Sequence, residues 1–240
     1  MEKKKYITFD KRLIEYFKEL GFKRKNQNTF LRMQNEALQS IGFTHSTHGE
    51  HFAKHYNMRL HVEYPEVNKV LSKLDYNKNT FDGFGINIGY LCKDRDFKEY
   101  RIADNDEDGI VKSIIDDMVS DIIDYGLPYF DKYSTIDSAI SGMETNKIDS
   151  TALSPKCSLP LFYLTKGWYE AAIIYVKNME EQILKAYEGK VAECVELREI
   201  LGNENVNIPC DSYYKEYQHF AKLVSNYAMN YGKLCGTLLF

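Results

Sequence analysis

The sequence predicts an α+β fold, a mostly antiparallel sheet of about five strands with helices on one face, followed by an all-helical C-terminal region. Three observations carry that expectation. Apolar and polar residues alternate between Thr29 and Ala103, which is the strand period. Before and after that stretch the apolar residues recur at three and four positions, which is the helix period. The connections within the alternating stretch are too short for parallel crossovers. The expected organisation is an α+β domain over 1–142, a linker over 143–159, and a helical region over 160–240 that packs on the first domain.

The elements follow in order. Phe9, Leu13, Ile14, Phe17 and Leu20 fall at helical spacing, with Asp10 as the expected cap. Gly21 occupies the left-handed position after a helix end and Phe22 the hydrophobic position beyond it. A polar turn is expected over 23–28. Thr29–Met33 reads as a strand, Asn35-Glu36 as a tight turn, and Ala37–His45 as the second strand. Met58, Leu60, Val62 and Tyr64 alternate with Asn57, Arg59, His61 and Glu63 in a strand over 56–64, which Pro65 ends. A short helix is expected over 66–75. Phe84, Ile86, Ile88 and Tyr90 alternate with Gly85, Asn87 and Gly89, and a last strand is expected over 97–103.

Ile110, Ile114, Met118 and Ile122 then line one helical face, and Gly126 with Pro128 is expected to stop that helix. Ser134 should cap a short helix from Thr135. Residues 143–160 are polar, aperiodic and carry two prolines, hence the linker. Beyond it, Leu161, Leu164, Trp168, Ala172, Tyr175, Met179 and Ile183 form one stripe. Val191, Val195 and Leu201 suggest a second, ended by Gly202. Tyr213, Tyr217, Phe220, Val224, Tyr227 and Tyr231 form the clearest.

Composition bounds the function classes. With 240 residues, 44% hydrophobic and 28% charged, the chain can bury a core without metal or disulfide support. A balance of 31 Lys+Arg against 35 Asp+Glu gives a net charge of −4, which makes nucleic acid an unexpected partner. Five scattered cysteines without a C-x-x-C pair favour reduced thiols in a cytoplasm. No apolar leader follows the initial Met, and no run approaches the roughly 20 apolar residues of a membrane span. A cytoplasmic protein with no membrane partner is the expectation. The wealth of Tyr, Lys, Asn and Ile fits an AT-rich bacterial genome.

The strand pattern separates two faces. Ile41, Phe43, Met58, Leu60, Val62, Phe84, Ile86 and Ile88 should be buried under the first helix and the 110–125 helix. Ser40, Gly42, Thr44, Asn57, Arg59, His61, Glu63, Gly85, Asn87 and Gly89 fall on the other side. Strand glycines often mark close approach by a backbone or a ligand. This polar side is either covered by the helical half or water, or it is a groove in which Thr44, Arg59, His61 and Asn87 bind an anionic or polar partner.

Several short motifs point to a family. Gly21-Phe22-Lys23 with Thr29-Phe30-Leu31-Arg32, then Gly85-Ile86-Asn87-Ile88-Gly89, then Leu127-Pro128-Tyr129-Phe130 with Ser134-Thr135-Ile136, resemble the motifs of a bacterial family labelled domain of unknown function 4304. The resemblance covers about residues 8–142. It implies the α+β fold and no chemistry, since the family has no established activity. Where the resemblance leads one to expect a glutamine on the second strand, this chain has Thr44.

Three constellations bear on chemistry. His45, His48, His51, His55 and His61 crowd one loop and its flanks, and the first four are candidate metal ligands. His51 and His55 would share an ion if that stretch were helical, although the spacing matches no standard site and a solvated hairpin loop competes. Asp104-Asn105-Asp106-Glu107-Asp108-Gly109 begins like a calcium loop, but Ile115 stands where the bidentate glutamate belongs. A solvated acidic turn before a helix is the simpler expectation. Lys3-Lys4-Lys5 and Lys23-Arg24-Lys25 form basic clusters, expected as solvated ends. No nucleophile elbow or phosphate-binding glycine loop occurs, so no catalytic residues and no cofactor are assigned.

The tyrosine stripe and the apolar end Leu238-Leu239-Phe240 suit an interface. The sequence therefore points to a non-catalytic binding or protein-interaction module, partnered by another protein or by itself. The alternative is a metal-dependent hydrolase built on the histidine-rich loop 45–61.

Overall fold

The structure is a computed structural model that describes all residues except Met1, 48–52, 77–82, 104–105, 146, 149–154, 202–211 and 235–240. The side chains of 2–10, 155–156, 201 and 233–234 also lie outside the description. The elements are α1 (Glu2–Glu19), β1 (Lys23–Asn26), β2 (Thr29–Gln34), β3 (Ala37–Thr47), β4 (Lys54–Glu63), α2 (Pro65–Lys73), β5 (Phe84–Asn87) and β6 (Glu99–Ile102). They continue as α3 (Asp108–Asp121), α4 (Leu127–Lys132), α5 (Ile136–Glu144), α6 (Pro155–Thr165), α7 (Tyr169–Leu201) and α8 (Ser212–Leu234). The chain forms two compact units, one of 1–65 with 82–153 and one of 66–81 with 154–240.

The first unit holds the α+β part. Its six strands are antiparallel, in the order β1-β2-β3-β4-β5, with β6 also on β4. Helix α1 ends as its sequence requires. Gly21 takes φ +83°, and the Phe22 amide donates back to Phe17 O at 2.8 Å, so the last turn is closed and Phe22 is driven inward. Phe17 then packs on Phe30 and Phe43, with ring centroids 4.8 and 5.9 Å away. Ile41, Leu60 and Ile86 are paired across β3, β4 and β5, and all three are buried, so the sheet has one apolar face in the expected register. Asn35, at φ +53°, makes the expected turn between β2 and β3.

Several expectations are corrected. The polar stretch 23–28 is not only a turn: Lys23–Asn26 forms edge strand β1, whose side chains are all exposed. Alternation suggested a strand through Tyr90, yet Ile88–Leu91 is a 3₁₀ turn, because the Asn87 side chain accepts the Gly89 amide and curls the chain. Asp10 lies inside α1 and does not open it. Gly126 and Pro128 do not stop the helix after α3. A π-helical turn over Ile122–Gly126 carries the chain into α4, and Pro128 sits in the first turn of α4. The buried stripe of α3 is rotated to Val111, Ile115, Met118 and Ile122, leaving Ile110 49% exposed. Thr135 caps α5 by accepting the Ser138 amide, while Ser134 accepts from Asn35.

The expected linker 143–159 is shorter than its composition suggested, since α5 runs to Glu144 and α6 starts at Pro155. In the second unit the stripe through Trp168 is broken. Gly167 at φ +73° ends α6, and Trp168 is the 45% exposed residue beyond it. The rest of that stripe and the one from Val191 to Leu201 merge in the single 33-residue helix α7, about 50 Å long at 1.5 Å per residue. Helix α8 buries Tyr217, Phe220 and Val224, and Gln218 donates to Glu180 of α7 at 3.0 Å. Tyr76, after α2, lies against Phe220 at 5.1 Å.

Candidate functional site

The outer face of the sheet in the first unit carries the residues expected to bind. Register fixes their neighbours: Thr44 pairs with Asn57, Gly42 with Arg59, Ser40 with His61, Arg59 with Asn87, and His61 with Gly85. Thr44 and Arg59 are exposed, and His61 and Asn57 are half-buried. The glycines explain how Arg59 and His61 lie. A Cβ on Gly85 would stand 3.1 Å from His61 Cδ2 and 3.2 Å from Arg59 Nε, so both side chains lean over the space that glycine leaves. The close approach read from the strand glycines is thus made within the chain, at Gly85 by Leu60 O with these two side chains and at Gly89 by Asp96 O and Lys98.

Asn87 lies on the same strand but is only 6% exposed. Its Oδ1 accepts the Gly89 and Lys98 amides at 2.9 and 3.0 Å. Its Nδ2 donates to Asn57 Oδ1 at 2.9 Å and to Lys98 O at 3.2 Å. An amide has two donors and two acceptor lone pairs, and all four are used. Asn87 therefore clasps the 88–98 segment to the sheet.

The histidine candidates separate. His48 and His51 lie outside the described residues. His45 pairs with Tyr56 and His55 with Ser46, which places the two imidazoles on opposite faces of the β3–β4 ladder. His55 is in strand β4 rather than a helix, and its Nδ1 is 3.6 Å from Glu99 Oε2. Among the described residues no group of three or more His, Cys, Asp or Glu is placed to hold a metal. Of the acidic run, Asp104 and Asn105 are outside the description. Asp106 Oδ2 accepts the Ala103 amide at 2.6 Å, and Glu107 and Asp108 stand at the start of α3, where the helix dipole favours negative charge.

Sequence reasoning missed two inward polar networks. Arg32 donates through Nε and Nη2 to Gln39 Oε1 at 3.0 and 2.7 Å and through Nη1 to Leu20 O at 3.0 Å. Fully buried Gln39 passes the chain on to Phe130 O at 3.0 Å. Alternation could have found it: Gln39 shares parity with Ile41 and so had to point inward. In the second network Asp121, 8% exposed at the entrance to the π turn, accepts from Lys98 Nζ and the Tyr100 hydroxyl, and Cys92 Sγ lies 3.9 Å from its other oxygen. Burial, then the bond to Asp121, pushes the Tyr100 phenol far up, and burial followed by Asp121 raises the Cys92 thiol. No single stretch of sequence joins these four residues.

The described residues contain no helix long and apolar enough to cross a membrane. No curated protein and no solved structure matches the chain. The model of one family, described as a domain of unknown function, matches residues 13–132, half of the 240-residue chain. That span takes in the sheet, the Asn87 clasp and both inward networks, and on this match the chain belongs to the DUF4304 family.

Proposed function

We propose that the protein is a non-catalytic protein-interaction module that uses the outer face of the sheet. The observation that supports this most is the setting of Arg59. It is exposed, it lies over Gly85, and its strand neighbours Gly42 and Asn87 are respectively too small and too fully bonded to compete with an incoming carboxylate. An arginine so placed offers a planar fork to a partner at low ordering cost. The buried side chains of Gln39, Asn87 and Asp121 in this unit are spent on internal partners, Arg32 and Phe130 O for the first, Asn57 and the Lys98 backbone for the second, Lys98 Nζ and the Tyr100 hydroxyl for the third.

The test is affinity purification of the full chain, with Arg59→Glu and Thr44→Arg as face variants, from cells that encode it. A protein that co-purifies stoichiometrically with the wild type and is lost from variants of unchanged melting temperature is the expected result. Equal recovery by all three chains, or no co-purifying protein with any, would overturn the proposal.

A further inference from the structure

We propose that the cleft between β1 and the start of β3 binds an acidic peptide segment bearing aliphatic side chains. This rests on the interaction-module reading and names one partner chemistry for one end of the same face. The cleft has a volume of about 490 Å³. Lys23, Arg24 and Lys25 of the edge strand line it, with Arg32 a fourth basic residue whose guanidinium turns inward to Gln39, in a chain of net charge −4. Arg24 is held by its own turn, donating to Asn26 O and Gln27 O at 2.9 and 3.1 Å, and Arg32 by Gln39 and Leu20. These two supply a fixed positive field, while Lys23 and Lys25, exposed on long stems, supply the contacts.

Cations on an edge strand have a simpler use, which is to prevent pairing with other sheets. That use does not account for the floor. Leu31 pairs with Lys23 and Met33 with Leu38, and Met33 is 57% exposed beside the basic residues. An aliphatic floor inside a cationic rim matches a segment that alternates acidic and aliphatic residues. It does not match single-stranded nucleic acid, since among the described residues no aromatic ring lines the cleft for a base to stack on.

The experiment is fluorescence anisotropy of the full chain with three labelled probes: an octapeptide alternating Glu and Leu, the same peptide with Lys for Glu, and a dodecamer of thymidylate. The Glu–Leu peptide is expected to bind, and added salt to weaken it. Lys23→Glu with Lys25→Glu should weaken binding about tenfold, and Met33→Ser about threefold. All these side chains are exposed, so circular dichroism and melting temperature should not move. No binding of the Glu–Leu peptide, or tighter binding of the oligonucleotide, would overturn the proposal. Binding lost in Arg59→Glu but kept in the lysine variant would also overturn the cleft, while leaving the interaction-module reading in place.

Discussion

Replacing Asn87 by alanine tests the clasp directly. The substitution removes all four hydrogen bonds of the side chain and strands the Gly89 and Lys98 amides that its Oδ1 received at 2.9 and 3.0 Å. Gly89 is buried and Lys98 half-buried, and a stranded buried amide costs about 1–3 kcal/mol. Taking the upper part of that range for Gly89 and the lower part for Lys98 gives a loss of about 3 kcal/mol. Urea unfolding followed by circular dichroism measures the loss, and amide exchange locates it at Gly89 and Lys98. Asn57→Ala is the control: it removes one acceptor and leaves the other three bonds, so it should cost about 1 kcal/mol or less. A loss under about 1 kcal/mol for Asn87→Ala, with exchange unchanged at both amides, would refute the reasoning.

Other substitutions follow from the same geometry. Arg32→Lys keeps the charge but loses the two-pronged contact with Gln39 and the stacking of the guanidinium 4.6 Å over Phe22, so it should cost about 1–2 kcal/mol in thermal unfolding. Gly83→Ala, just before β5, demands φ +109° of a residue whose Cβ would stand 2.0 Å from Val62 O, and it should lower the melting temperature more than Gly42→Ala, whose Cβ would meet nothing nearer than 3.8 Å. Burial raises the phenols of Tyr64, Tyr100 and Tyr217 above their ordinary value near 10. The folded state then holds protons that the unfolded state releases, so this contribution is complete below pH 10 and is lost as pH rises beyond it. In an absorbance titration at 295 nm part of the tyrosines should ionise only as the chain unfolds; full ionisation near pH 10 with helical dichroism intact would contradict this.

The strands could be read from the sequence because a sheet with one buried face makes register and alternation the same fact. Leu60 and Ile86 face the same side for that reason. The Gly21-Phe22 helix end was equally legible, since its backbone geometry is local. What alternation could not show was where side chains overrule the strand. Asn87 turns Ile88 out of the ladder by a bond of its own side chain, and Gly126 lies in a π turn where a Cβ would stand 3.4 Å from Leu60 and 3.5 Å from Ile88. These neighbours of Gly126 are distant in sequence, as is Lys98, the further partner of Asn87. The candidate site was legible in part. Parity placed Thr44, Arg59 and His61 on the outer face, but whether a side chain is spent internally, as Asn87 is, depends on Lys98, which no pattern joins to it.

The Asp121 network tests whether this unit holds its outer face rigid by design of the segment behind it. A carboxylate, a lysine, a tyrosine and a cysteine in contact have the makings of a catalytic group, but the thiol and the phenol are both pushed towards their protonated forms, and Lys98 is spent on Asp121. What the network does is tie α3 to Lys98 and Tyr100. Asn87 grips the backbone of that same Lys98 from the other side. If both serve one segment, they are not independent. Asp121→Asn alone should cost about 2–3 kcal/mol, because it strips the charge from the acceptor of the bonds from Lys98 Nζ and the Tyr100 hydroxyl. The double variant Asn87→Ala/Asp121→Asn should fall short of the sum by more than about 0.5 kcal/mol, since a segment already released cannot be released again. Strict additivity in urea unfolding would mean that the two ties hold separate parts of the structure, and the outer face would then owe its order to Asn87 alone.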